Sequence, residues 1–204
     1  CSPLICPTTS IPFMTITVYA ASSGQAPVPF VEAARQLGQL MAEAGHVLVN
    51  GAGRTGLMAA TANACLEAGG EAVGVIPQFM IEQDWQHRGM TRLIVTPDMH
   101  SRKQRMAAES DACIALPGGV GTLEELLEII TWKQLGLYLK PIVVLNTGGY
   151  FNPLLAQLQS ALDQHFMRPV HAAIWQVAGT PAEALRLAAT TPLWDASVRK
   201  FAAL

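Results

Sequence analysis

The sequence predicts an α/β protein built on one doubly wound, parallel, Rossmann-like sheet in a single domain. Three observations carry that prediction. Short apolar runs rich in β-formers alternate with helix-patterned segments along most of the chain. Several of those runs, such as Ala112-Cys113-Ile114-Ala115-Leu116 and Ile142-Val143-Val144-Leu145, are apolar throughout, as strands covered on both faces must be. Two glycine turns, Gly51-Ala52-Gly53-Arg54-Thr55-Gly56 and Pro117-Gly118-Gly119-Val120-Gly121-Thr122, each join such a run to a helix. Ligands of open α/β sheets bind at turns of this kind, beyond the C-terminal ends of the strands.

Taken in order, Met14–Ala20 is a strand that ends at a small polar turn containing Ser22. Residues 28–44 place Val31, Ala34, Leu37, Leu40, Met41 and Ala44 at helical spacing, and Gly45 stops that helix. Gly38 interrupts the pattern at some loss of helix propensity. His46–Asn50 is the second strand, and Leu57–Ala68 is a helix closed by Gly69-Gly70. Glu71–Pro77, Thr91–Pro97, Asp111–Pro117 and Lys140–Asn146 read as further strands. Helices are expected from about Asp98, Thr122 and Asn152, then a strand in Ile174–Ala178 and a last helix from Pro181. The domain spans residues 14–204. Residues 1–13 lack the basic start and continuous apolar stretch of a signal peptide and read as a tail outside the fold.

Composition narrows the function. Half of the 204 residues are hydrophobic and 14% are charged, enough for a buried core without metal or disulfide. A net charge of −2 offers no basic footprint for nucleic acid. No apolar run is long enough to span a bilayer, so no membrane partner is expected. Cys65 and Cys113 sit inside apolar patterns and read as buried reduced thiols, which fits a cytoplasmic protein. With no Cys-x-x-Cys, and no histidine paired with His46 or His100 at ligand spacing, no metal site is expected.

The first glycine turn matches G-x-G-x-x-G. A dinucleotide fold, however, needs an acid at the end of the following strand to hold the ribose. That strand ends in Ile76-Pro77, and its one acid, Glu71, stands at its start. A close backbone approach, to a smaller ligand or between helix and strand, is the remaining reading. Neither turn contains Gly-Lys-Ser/Thr, which excludes a P-loop. The second turn says more. Gly118, Gly119 and Gly121 open the backbone where a helix begins, so amide N–H groups can converge on an anion, and a phosphate suits them. Thr122-x-x-Glu125 also reads as a capping box, and Glu124 and Glu128 as a solvated helix face. Upstream, Asp98 is a suitable N-cap for a helix whose first turns hold Arg102, Lys103 and Arg105. Those cations oppose the helix dipole unless solvent or an anion compensates them. Arg105 can pair with Glu109 one turn on. Arg102 stands at the mouth of the expected cleft. Together the two segments describe a site for a phosphorylated small molecule.

At these residues the chain resembles the LONELY GUY family, long described as lysine decarboxylases. The matching segments are DMHSRKQRM (98–106) and LPGGVGTLEELLEIITWKQLG (116–136), with GRTGLM after the second strand and GGYF near residue 150. The resemblance implies a homodimeric phosphoribohydrolase that splits a nucleoside 5′-monophosphate, often an N6-prenylated adenosine monophosphate, into free base and ribose 5-phosphate. It implies no metal and no organic cofactor. It places Arg102 and Glu125 in catalytic positions. Ser22, Gly53, Asp84, Lys103, Gly118, Gly119, Gly121, Thr122 and Thr131 fall in substrate-binding ones. Two departures stand out: Ala52 replaces the middle of three glycines, and Asp84 replaces a glutamate. Two alternatives remain open, a general purine-nucleotide nucleosidase and a non-catalytic carrier of a nucleotide or molybdenum cofactor.

Overall fold

The computed structural model describes residues 12–197; all but the last two residues of the expected tail lie outside that range. The chain runs β1 (Thr15–Tyr19), α1 (Val28–Glu43), β2 (Val47–Asn50), α2 (Gly56–Glu67), β3 (Glu71–Pro77), α3 (Gln78–Glu82), β4 (Arg92–Thr96), α4 (Met99–Glu109), β5 (Ala112–Ala115), α5 (Val120–Gln134), β6 (Ile142–Leu145), α6 (Asn152–Asp163), β7 (Gln176–Ala178) and α7 (Pro181–Thr190). The strands form one seven-stranded sheet in the order β4-β3-β2-β1-β5-β6-β7, and every pairing is parallel. The winding reverses at the β1–β5 pair, where Tyr19 lies opposite Ala115. Connections leaving the two strands diverge there and open a crevice at their C-terminal ends.

The period-two alternation of strand side chains divides the core. Ile16 and Val18 of β1 pack with Ala34, Leu37 and Met41 of α1, Leu57 and Cys65 of α2 and Leu185 of α7 on one face. Tyr19 packs with Met106 of α4, Leu126 and Ile129 of α5 and Leu158 of α6 on the other. Cys65 and Cys113 are free and buried, as expected, and burial pushes their thiols up to about 11 and about 12. Gly38 gains its reason from packing: a Cβ there would lie 2.1 Å from the Thr61 carbonyl oxygen of α2. The glycine lets two helices meet backbone to backbone.

Two local expectations need correcting. Helix α5 begins at Val120 with Gly119 as its N-cap and no side-chain cap. Thr122 therefore lies inside the first turn, and the Thr122–Glu125 capping box does not form. Helix α3 was not anticipated, because five residues after Pro77 carry no readable apolar period. Asp98, in contrast, caps α4 as expected, accepting the Ser101 N–H at 2.7 Å, and Arg105 pairs with Glu109 at 2.6 Å.

Candidate active site

Three backbone turns meet over the crevice. The Ala21 N–H donates to the Pro117 carbonyl at 3.2 Å and the Met58 N–H to the Ala21 carbonyl at 3.1 Å. The Thr55 hydroxyl donates to the Ser22 carbonyl at 2.6 Å. Beside them lies a cavity of about 750 Å³ walled by Ser22, Gly51, Gly53, Met58, Arg102 and Glu125, among others. A second cleft of similar size, around Trp132, Tyr138 and Lys140, lies towards the opposite end of the sheet and holds neither glycine turn nor the Arg102–Glu125 pair.

The glycines in and beside the cavity divide by task. A Cβ on Gly51 would fall 1.6 Å from the Arg102 guanidinium, one on Gly53 would fall 2.9 Å from the Met58 sulfur, and one on Gly118 would fall 2.1 Å from the Thr122 hydroxyl oxygen. These three make room for neighbouring side chains. At Gly119 and Gly121 a Cβ would meet nothing within 4 Å, and both line the cavity. The first amides of α5 have no carbonyl inside the helix to bond, and the helix dipole adds partial positive charge there.

Arg102 and Glu125 meet at the floor. Both are nearly excluded from solvent, with side chains 6% and 8% exposed and Nη1 3.7 Å from Oε1. The guanidinium is pinned from behind: Nε donates to the Val75 carbonyl at 3.0 Å and Nη2 to the Gly51 carbonyl at 3.1 Å. Its orientation is thus set by the ends of β3 and β2. Burial lowers the Arg102 pKa, and the negative charge of Glu125 pushes back. Burial raises the Glu125 carboxyl to about 7, with Arg102 pulling down part of the way. A carboxyl poised there can exchange a proton near neutral pH. Strongly shifted groups in a cleft are candidates for chemistry.

Of the residues expected in substrate contact, Ser22, Gly53, Gly119, Gly121 and Thr122 line the cavity with the Arg102–Glu125 pair. Asp84, Lys103, Gly118 and Thr131 are not part of its wall. Lys103 donates to Glu124 and, at 3.0 Å, to Glu128. Burial works against its charge, but the hydrogen bonds it donates to the two carboxylates prevail and raise its pKa. The two glutamates thus clamp α4 to α5 rather than merely facing solvent. Thr131 is exposed on α5, its hydroxyl donating back to the Leu127 carbonyl at 2.8 Å. Asp84 binds Arg54 at 3.1 Å and Arg88 at 2.8 Å, so it reaches the cavity through Arg54, which lines it. Ala52 adopts φ 56, a left-handed conformation that a Cβ disfavours by roughly 1–2 kcal/mol. It is fully buried and outside the cavity wall, so this departure bears on the backbone rather than on direct contact.

Sequence reasoning missed one whole side of the cavity. Met58, Ile76, Met80, Trp85 and Met99 form an apolar wall drawn from α2, β3, α3, the loop after it and α4. The loop is a flap pinned to the first glycine turn: Arg54 N–H donates to the Trp85 carbonyl at 3.2 Å and His87 N–H to the Ala52 carbonyl at 2.7 Å. Trp132 and Tyr138, on and just beyond α5, line the opposite cleft and pack with the core on that face of the sheet.

The chain is similar to known proteins. The model of the family described as "Possible lysine decarboxylase" matches residues 58–188. The cytokinin riboside 5′-monophosphate phosphoribohydrolase of Rhodococcoides fascians is 43% identical over 156 residues, covering 76% of this chain and 79% of its own. The enzyme of the same name LOG7 of Arabidopsis thaliana is 42% identical over 158 residues, covering 78% and 73%. Among solved structures, a molybdenum cofactor carrier protein of Chlamydomonas reinhardtii superposes with TM-score 0.64 at 24% identity, covering 86% of this chain and 95% of its own; at that identity it speaks for the fold. With the family model matching most of the chain and relatives above 40% identity across most of their own length, this chain belongs to the LONELY GUY family of cytokinin riboside 5′-monophosphate phosphoribohydrolases.

Proposed function

We propose that this protein hydrolyses the N-glycosidic bond of adenosine 5′-monophosphates, N6-modified ones included, releasing free base and ribose 5-phosphate. The observation that carries the reading is that the buried Arg102–Glu125 pair lines one cavity together with Gly119, Gly121 and Thr122 at the start of α5. The phosphate sits on the start of α5 against Gly119, Gly121 and Thr122. The ribose lies over Glu125, and the base extends towards Met80, Trp85 and Met99. As the C1′–N bond breaks, its electron pair leaves with the base and positive charge develops on the sugar, as in glycoside hydrolysis. Glu125 stabilises that charge and takes a proton from the water whose oxygen adds to C1′. The departing base acquires the balancing proton. Arg102, held by two carbonyls, orients Glu125 and keeps a share of it ionised. The phosphate contributes binding energy remote from the reacting carbon. Water, base and sugar phosphate balance without a redox or carbonyl-trapping cofactor.

The decarboxylase description of the family finds no support in the lysines. None of Lys103, Lys133 and Lys140, the lysines among the described residues, lines the cavity. Lys133 instead donates to the Lys140 carbonyl at 2.8 Å, away from the site. A carrier needs the anion cradle but not the carboxylate, and that difference supplies the test. Glu125→Gln is expected to lower hydrolysis of adenosine monophosphate by about 10²–10⁴-fold, while calorimetry finds nucleotide affinity within a few-fold of wild type. Hydrolysis at the wild-type rate by that variant would overturn the assignment of Glu125.

A further inference from the structure

The Gly148-Gly149-Tyr150-Phe151 segment lies outside the cavity wall, and the proposed chemistry gives it no task. We infer that Tyr150 is a positioning residue that sets the anion cradle by holding the Gly118–Gly119 peptide in one orientation; this rests on the phosphate placement proposed above.

The segment is built to present one hydroxyl. After β6, Gly148 and Gly149 adopt φ 60 and φ 75, which glycine reaches without steric strain. The Phe151 N–H donates to Asn146 Oδ1 at 2.7 Å, and Asn146 Nδ2 to Asn152 Oδ1 at 2.8 Å. The Tyr150 ring stands edge-on to Phe30 and Phe151, with centroids 5.6 and 5.1 Å away. Its hydroxyl then donates to the Gly118 carbonyl at 2.6 Å.

Peptide geometry gives that bond its consequence. In a trans peptide the carbonyl and the next N–H point in opposite directions, and no cis peptide occurs among the described residues. Drawing the Gly118 carbonyl to Tyr150 therefore directs the Gly119 N–H the other way, on the residue that lines the cavity and caps α5. The neighbouring Pro117 carbonyl is already taken by the Ala21 N–H. Between two glycines a peptide flips easily, and the flipped form would present a carbonyl oxygen to the anion. The hydroxyl selects against that form and so favours a phosphate monoester over an unphosphorylated ligand.

Tyr150→Phe keeps both ring contacts and removes only the hydroxyl. Calorimetry with ribose 5-phosphate and, separately, adenosine should show the sugar phosphate bound about five- to tenfold more weakly by the variant, the size of one lost hydrogen bond. Adenosine affinity should stay within about twofold. In turnover, KM for adenosine monophosphate should rise in step while kcat holds. Unchanged ribose 5-phosphate affinity would overturn the inference and leave the proposed function standing. Equal losses for both ligands would also overturn it, since that marks a general distortion. A wild-type protein that neither binds ribose 5-phosphate nor releases base would remove the functional reading, and this inference with it.

Discussion

Glu125 ionises against its surroundings, and the pH dependence should report it. Burial raises its carboxyl to about 7 from the 4.5 of an exposed glutamate. If the ionised form is the working one, kcat/KM should fall on the acid side of about pH 7 with the slope of a single proton; a profile flat to pH 5 would remove Glu125 from that role. Stability should move the other way. The folded-state pKa lies above the unfolded one, so the folded protein holds this proton more tightly. Its stabilising contribution is complete below about 4.5 and is lost as pH rises to about 7. Glu125→Gln should therefore be more stable than wild type at pH 8, by on the order of 1–3 kcal/mol, with the gap closing towards pH 4.5. Thermal melts at the two pH values measure it, and a variant that melts lower at pH 8 would contradict the argument. Both members of the pair were legible as residue types in their motifs. Their separation was not, because it is set by the Val75 and Gly51 carbonyls that hold Arg102 from other strands.

At the scale of elements, the alternation of apolar runs and helical periods located all seven strands and six of the seven α-helices among the described residues. The short α3 and the flap behind it escaped because their structure comes from pairing with the first glycine turn, not from a local period. Helix α5 starts two residues early for a related reason. Thr122 looks like a cap in sequence, but Gly119 begins the turn without one, leaving the amides open towards the cavity. Gly38 shows tertiary packing overriding propensity. Gly38→Ala gains up to about 1 kcal/mol of helix propensity, yet its Cβ would strike the Thr61 backbone. A net loss of roughly 1–3 kcal/mol in chemical denaturation is expected; a stabilised variant would show that α1 and α2 can separate freely. The flap gives a second expectation. If the base lies against Trp85, Trp85→Ala should raise KM for adenosine monophosphate about fivefold or more, the range of base–aromatic stacking. Unchanged KM would place the base elsewhere.

In the whole molecule the candidate site lies where the winding of the sheet reverses. Strand order could not be read from the sequence, and with it went the knowledge that the turns after β2 and β5 flank β1 from either side. Expected relations between one copy and another belong to this scale too. Leu127, Leu135 and Leu137 expose 40%, 40% and 59% of their surface on and just beyond α5, and we propose that a second copy of the chain covers them. Light scattering should give about twice the 21.8 kDa of one chain; a monomer at micromolar concentration would remove the homodimer from the account. The proposed hydrolysis depends on the phosphate. The direct measurement is chromatography of products after incubating the protein with adenosine monophosphate and N6-isopentenyladenosine monophosphate, each beside its nucleoside. Free base should form from both monophosphates and none from the nucleosides. Nucleotide binding without base release, or equal release from the nucleosides, would contradict it.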